Sequence, residues 1–300
     1  MPSTALAGIL PALVTPLRPS GELEPGVLRS LVNHLLASGV GGLLPCGSTG
    51  EFPYLTLEER RTVSDIVLEE TAGRAPVVPQ TGAMTTADTI ALSQQAQAGG
   101  AAAVMIVAPY YEPLKWNELV AHYSEVRAAI DIPIVYYNLP SVTGIRLSTG
   151  QLVQLAHETG FEYIKDTGGN AQELVELLRE HREDVTVLVG WDSLTYFGFM
   201  NGAQGSIWGA ANFIPDLCVD LYQAVVQGDF ARSQTLWDVI WPICQFLEGQ
   251  DYTSAVKAAC RLSGFDVGPT RRPLLEPDGD SMVTLRSLLA RADSVRTHQA

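Results

Sequence analysis

The sequence predicts an α/β fold, a TIM (β/α)8 barrel with a C-terminal helical appendage, and three observations predict it. Eight short runs rich in Val, Ile and Leu recur at roughly the 25 to 30 residues of a βα unit. Each run is apolar on both faces, the pattern of a parallel strand covered by helices on either side. After Asp216 such runs cease and only helical patterns remain. Eight βα units closing on themselves leave no exposed sheet edge, and one barrel accommodates most of a 300-residue chain.

In chain order the runs are GILPAL from Gly8, GGLLP from Gly41, PVVPQ from Pro76, AAVMIV from Ala102, PIVYY from Pro133, YIKD from Tyr163, TVLVG from Thr186 and GSIWG from Gly205. The helices between them carry start and stop signals. Thr56 with Glu59 forms a capping box and Gly73 closes that segment, and the stretches Thr85 to Gly99 and Ser148 to Gly160 repeat the grammar. Beyond the last run, Leu217 to Gly228, Phe230 to Leu247, Tyr252 to Leu262 and Val283 to Ala290 read as helices. The first closes the barrel, so the predicted division is a barrel over residues 1–228 and an appendage packed on it over 229–300.

Composition narrows the function classes. At 46% hydrophobic and 17% charged residues, the chain is predicted to be globular. A formal charge of −14 repels phosphate backbones and anionic lipids, which argues against nucleic-acid and membrane partners. No apolar run approaches the ~18 residues of a membrane span. The opening MPSTALAGILPALVTP lacks a basic region and reads as a first strand, so a cytoplasmic protein is expected. Cys46, Cys218, Cys244 and Cys260 show no CxxC spacing and read as free, mostly buried thiols. The five histidines, His34, His122, His157, His181 and His298, lie far apart, and no metal site or other cofactor is indicated.

In this architecture chemistry sits at the C-terminal ends of the strands. Lys165, in the sixth run, is one of only three lysines against sixteen arginines. Alternation along YIKD turns Tyr163 and Lys165 inward when Ile164 faces the helices. An ammonium buried there is costly unless it gives up its proton and serves as an amine nucleophile. The alternative is a rim lysine paired with Asp166 or Asp192, and position alone leaves both open. The turn PCGSTGE offers hydroxyls and clustered N–H groups suited to a carboxylate, or a plain βα turn with a serine cap. It lacks the P-loop lysine. Tyr136 and Tyr137 point to opposite faces, so one of them is core and the other is able to relay protons.

Taken with these residues, the chain resembles the dihydrodipicolinate synthase and N-acetylneuraminate lyase family of class I aldolases. The resemblance runs over essentially the whole chain. It is carried by GILPALVTPL, GSTGE at Gly47 to Glu51, APYY at Ala108 to Tyr111, YNLPSVTG at Tyr137 to Gly144, IKDTGGN at Ile164 to Asn170, and GWDS at Gly190 to Ser193. It implies that Lys165 is the Schiff-base lysine, that Tyr137 relays protons, and that Ser48 and Thr49 bind the keto-acid carboxylate. Tyr111 resembles the tyrosine that members lend to a neighbouring subunit, which implies a dimer or a tetramer of dimers. The expected catalytic group is therefore Lys165, Tyr137, Thr49 and Tyr111. Substrate contacts are expected from Ser48, Thr49, Gly190, Asp192, Ser193 and Ile207, with no metal and no cofactor beyond the covalent imine.

The departures bear on substrate. The synthases carry an arginine within YNVPSRTG where this chain has Val142, which removes a bidentate partner for a second carboxylate. Arg146, four residues on, is the nearest replacement in sequence. The acidic residue that sialic acid lyases carry after the aspartate of the seventh strand is Ser193 here, and bulky Trp208 stands at a position usually small. The expectation is a Schiff-base lyase, aldolase or dehydratase, acting on a 2-keto-3-deoxy sugar acid or related hydroxy-keto acid with pyruvate as product or co-substrate. The alternatives are dihydrodipicolinate synthase and a catalytically silent keto-acid-binding barrel. Cleavage and water loss begin from the same iminium, so the sequence leaves both open.

Overall fold

A computed structural model describes residues 5–297; His298 lies outside the described residues. Among the described residues six strands form: β1 Gly8–Pro11, β2 Val104–Val107, β3 Ile134–Asn138, β4 Tyr163–Asp166, β5 Thr186–Val189 and β6 Gly205–Trp208. The helices are α1 Pro25–Ala37, α2 Leu57–Thr71, α3 Thr86–Ala98, α4 Trp116–Ala129, α5 Pro140–Thr143, α6 Thr149–Thr159, α7 Ala171–Glu180, α8 Thr195–Met200, α9 Pro215–Val226, α10 Phe230–Glu248, α11 Tyr252–Leu262 and α12 Gly279–Thr297. Among the described residues no helix is long and apolar enough to cross a membrane.

The strands make one curled, all-parallel sheet in the order β1-β6-β5-β4-β3-β2. The second and third apolar runs were expected as full strands and are instead reduced to isolated parallel bridges. Ala12 pairs with Leu44, Leu43 with Val77, and Gln80 with Met105, which links β1 to β2 and completes the ring. Pro45, Pro76 and Pro79 explain the reduction, because proline has no N–H to donate to a ladder. Their carbonyls still accept: Leu43 N–H donates to Pro76 O at 2.9 Å and Met105 N–H to Pro79 O at 2.9 Å. The α/β barrel with C-terminal helices is therefore the observed fold.

Helix boundaries follow their caps. The Thr56 hydroxyl accepts from Glu59 N–H at 3.1 Å while the Glu59 carboxylate accepts from Thr56 N–H at 2.8 Å. Ser148 and Gln151 cap α6 in the same way, while α3 is capped by the Thr85 hydroxyl alone, which accepts from Asp88 N–H at 3.1 Å. The last helix is longer than Val283 to Ala290. Its start is set by Asp278, whose carboxylate accepts from Ser281 N–H at 2.8 Å, and its far end is tied to α9 by Arg296, which grips Asp216 through two donors at 2.5 and 2.6 Å.

Beyond α9 the chain packs back on the barrel through α10, and it reaches the C-terminal rim through α11 and the segment after it. Lys257 of α11, fully buried, donates to Glu51 at 2.8 Å and to the carbonyls of Thr15 at 2.9 Å and Pro269 at 2.7 Å. Arg271 donates to both carboxylate oxygens of Glu59 at 2.7 Å, and this pairing holds the Glu59 carboxyl down at about 2.

Candidate active site

A cavity of about 300 Å³ opens at the C-terminal end of the strands, with Lys165 among its walls. Register puts Lys165 on β4 directly beside Tyr137 on β3, with Tyr136 beside Ile164 one step earlier. The pleat then divides them. Tyr136 turns outward against Phe161, its ring stacked at 5.2 Å, while Tyr137 faces the cavity. The Lys165 Nζ sits 4.2 Å from the centre of the Tyr137 ring, a cation–π distance, and the side chain is 4% exposed.

Among the described residues Lys165 makes no ion pair, so the rim pairing with Asp166 or Asp192 does not form. Asp166 is occupied elsewhere: it accepts from Asn138 at 2.7 Å and from Gly168 N–H at 3.1 Å, and burial raises its carboxyl. The lysine stem lies across Gly190. A Cβ there would stand 2.8 Å from Lys165 Cε and 2.6 Å from Thr167 Cγ2, so only glycine leaves the stem its path.

The turn Gly47–Glu51 forms the opposite wall. Glu51 adopts left-handed φ of 62° and is buried, held by Lys257 and by Arg271 N–H at 2.7 Å. The Thr15 hydroxyl donates to Gly50 O at 2.7 Å. With its back fixed, the turn presents Ser48 and Thr49 to the cavity. Among the described residues no acceptor meets the amides of Ser48 or Thr49, which leaves donors for an anion. The Ser48 and Tyr137 hydroxyls stand 3.4 Å apart.

The remaining wall is acidic. Asp192 is 5% exposed and accepts from the Tyr252 hydroxyl at 2.7 Å. Burial is the main cause that pushes its carboxyl up to about 7; the Glu248 carboxylate adds to this, while the Tyr252 hydrogen bond and the Lys165 charge act against it. Tyr252 reaches Asp192 because residue 209 is glycine, where a Cβ would fall 2.2 Å from the Tyr252 oxygen. Ile207 of β6 also faces inward.

Trp208, expected to crowd the site, does not. It follows Ile207 along the strand, so alternation turns it toward the helices, where it is buried 6.4 Å from the Trp237 ring. Ser193 is likewise outside the cavity walls, and its amide donates to Glu248 at 2.8 Å.

Lys165, Tyr137, Ser48, Thr49, Gly190, Asp192 and Ile207 thus converge on one cavity. Tyr111 does not; it is 84% exposed at the rim. Tyr110 packs edge-on against Phe52 at 5.7 Å. Val142 lines the mouth, and Arg146 is exposed and takes no part in the walls. Sequence reasoning missed Glu248, Tyr252 and Thr253, which enter from α10 and α11, and the Lys257–Glu51 pair behind the turn. The four cysteines are free and buried. Among the described residues no three His, Cys, Asp or Glu side chains gather in a metal-binding group.

Residues 5–292 match the model of the dihydrodipicolinate synthetase family. The chain belongs to that family. An uncharacterized DapA-like lyase of Halobacterium salinarum is 36% identical over 285 residues, spanning 95% of this chain and 93% of its own. A 4-hydroxy-tetrahydrodipicolinate synthase of Methanoculleus marisnigri is 36% identical over 287 residues, spanning 94% and 98%. Among solved structures, the E. coli K12 prophage protein YagE of the dihydrodipicolinic acid synthase family, in complex with pyruvate, is 28% identical. It superposes with a TM-score of 0.91, covering 97% of this chain and 99% of its own. The chain is accordingly an enzyme, a class I lyase of a family that works through a lysine Schiff base.

Proposed function

We propose that Lys165 forms the Schiff base with a small 2-keto acid, that the substrate is a 2-keto-3-deoxy sugar acid or related hydroxy-keto acid, and that pyruvate is product or co-substrate. The observation that carries this is the seating of the Lys165 amine 4.2 Å over Tyr137 in a cavity whose other side offers the Ser48 and Thr49 turn. The carboxylate of the keto acid lies against that turn. The neutral amine adds to the C2 carbonyl, and Tyr137, with Ser48 3.4 Å away, delivers the proton with which the carbinolamine oxygen leaves as water. The iminium then withdraws electrons: as the C4 hydroxyl gives up its proton the C3–C4 bond breaks to release an aldehyde and leave pyruvate as its enamine, which takes a proton at C3 and is hydrolysed from Lys165 by water, or a C3 proton and a C4 hydroxyl depart together as water. The imine itself is the electron sink, and the scheme calls on no metal or further cofactor.

The names of relatives such as the Methanoculleus synthase favour a second reading, condensation of pyruvate with aspartate semialdehyde. Its second carboxylate would call for a guanidinium, yet Val142 stands at the mouth and among the described residues no arginine lines the cavity. The sugar-acid reading needs only hydroxyl partners there. It also includes a homo-oligomer, dimer or tetramer, in which the exposed Tyr111 reaches a neighbouring subunit's cavity, and a cytoplasmic setting that suits four unpaired thiols.

Reduction with borohydride in the presence of pyruvate is expected to add one adduct, at Lys165, and none to the Lys165→Arg variant. Tyr137→Phe is expected to keep the fold and slow turnover by ~10²-fold or more. Folded wild-type protein that acquires no adduct would overturn the reading.

A further inference from the structure

Glu248 is placed against the grain of the electrostatics around it. It ends α10, where the helix dipole disfavours an anion, and its charge acts unfavourably on the buried Asp192. It is nevertheless fixed at the cavity wall, one oxygen held by the Ser193 amide at 2.8 Å, and not left to swing into solvent. Side chains that violate local stability rules and face a cavity are candidates for function. The charges on the walls are one lysine and two carboxylates, with no arginine. Once Lys165 is consumed in an imine and the substrate's own carboxylate lies on the Ser48–Thr49 turn, the charged groups left on the walls for the far end of the substrate are Asp192 and Glu248, beside the neutral hydroxyls of Ser141, Thr167, Tyr252 and Thr253. Carboxylates accept hydrogen bonds from hydroxyls and repel a third carboxylate.

We propose that Glu248, with Asp192, is a specificity-determining residue that admits a monocarboxylic keto acid with a hydroxylated far end and rejects a dicarboxylic one. The inference rests on the Schiff-base reading and names its substrate class: polyhydroxy 2-keto acids of the aldonic type, not the aldaric type. It assigns a binding role to the C-terminal helical region, which the barrel strands alone do not supply.

The test compares two probes of equal chain length, 5-hydroxy-2-oxopentanoate and 2-oxoglutarate, each trapped on the enzyme with cyanoborohydride and quantified by intact mass. The readout is the ratio of their half-saturating concentrations within one protein, so a variant that labels poorly overall remains interpretable. Wild-type enzyme is expected to require at least ~30-fold more 2-oxoglutarate than the hydroxylated probe, the size of effect given by a partly solvated like-charge contact. Glu248→Gln retains an acceptor for the Ser193 amide and is expected to shrink the ratio at least ~5-fold, chiefly by improving 2-oxoglutarate. Raising salt to about 1 M on wild-type enzyme is expected to narrow the ratio in the same direction, since the screening length falls to ~3 Å. Equal half-saturation of the two probes in wild-type enzyme overturns the proposal, as does a ratio that neither Glu248→Gln nor salt moves. Pyruvate on the wild type separates the two readings: a pyruvate adduct with an unmoved ratio removes the specificity role alone, whereas no adduct with any keto acid removes both.

Discussion

Asp192 shows what a single residue contributes at a cost. Its carboxyl is pushed up to about 7, with burial as the first cause and the nearby Glu248 charge adding to it. An acid whose pKa is higher in the folded protein than in the unfolded chain binds more protons when folded. Its contribution to stability is complete below the unfolded value, near 4, and is lost as pH rises through about 7. Wild-type stability should therefore fall between about pH 4 and pH 7 relative to Asp192→Asn, which cannot ionise, and the difference should level off above that window. Denaturation midpoints of the two proteins across this range measure the difference, and a constant offset would show that Asp192 does not titrate there. At this scale the sequence was informative for Lys165, whose direction follows from strand alternation; alternation separates Tyr136 from Tyr137 without choosing between them, and the family resemblance supplies Tyr137 and Ile207. The sequence was silent on Glu248 and Tyr252, whose contacts to Ser193 and Asp192 span 55 and 60 residues. It misjudged Trp208, because bulk was noted without applying the alternation that turns it away from the cavity.

Between elements, the Lys257–Glu51 pair joins α11 to the turn that presents Ser48 and Thr49. Both side chains are fully buried, and burial lowers the lysine's pKa despite the stabilising charge of Glu51. Removing one member of such a pair strands the other charge out of water. Lys257→Met is expected to cost about 3 to 5 kcal/mol, and adding Glu51→Gln should recover part of that loss. Urea unfolding of the two single variants and the double variant forms the cycle; additive losses would mean that the pair is not energetically coupled. The turn was legible in the sequence as an anion-binding candidate, but what fixes its backbone was not, since Lys257 follows Glu51 by 206 residues. The eight apolar runs located the barrel correctly. Two of them form bridges instead of ladders because Pro45, Pro76 and Pro79 interrupt donation, a consequence readable from proline chemistry. The early start of α12 likewise follows from the Asp278 cap, which the apolar pattern from Val283 onward did not include.

For the molecule as a whole, the proposed assembly sets an apolar rim against a large like charge. Tyr54, Met84 and Tyr111 are all exposed, and they follow the second, third and fourth apolar runs. Those runs are neighbours in the ring, joined by the Leu43–Val77 and Gln80–Met105 bridges, so the three side chains occupy adjacent loops at the same end of the barrel as the cavity. Exposed apolar side chains gathered on one rim favour burial against another surface. In a self-complementary contact the same loops of a second chain supply that surface, which would bring Tyr111 beside its neighbour's cavity. Opposing this, each chain carries a formal charge of −14, and two such chains repel most strongly when counter-ions are scarce. Screening shortens from ~30 Å at about 0.01 M salt to ~8 Å at about 0.15 M, whereas the apolar contribution does not depend on screening. Association should therefore tighten as salt rises over that range, the reverse of an interface held by opposite charges. Tyr111→Glu adds charge and removes apolar area, so it should shift the equilibrium toward single chains at every salt concentration. Sedimentation equilibrium of both proteins across the salt series measures this. A single-chain mass throughout, or dissociation as salt rises, would show that this rim does not join chains and that each cavity is completed by its own chain alone.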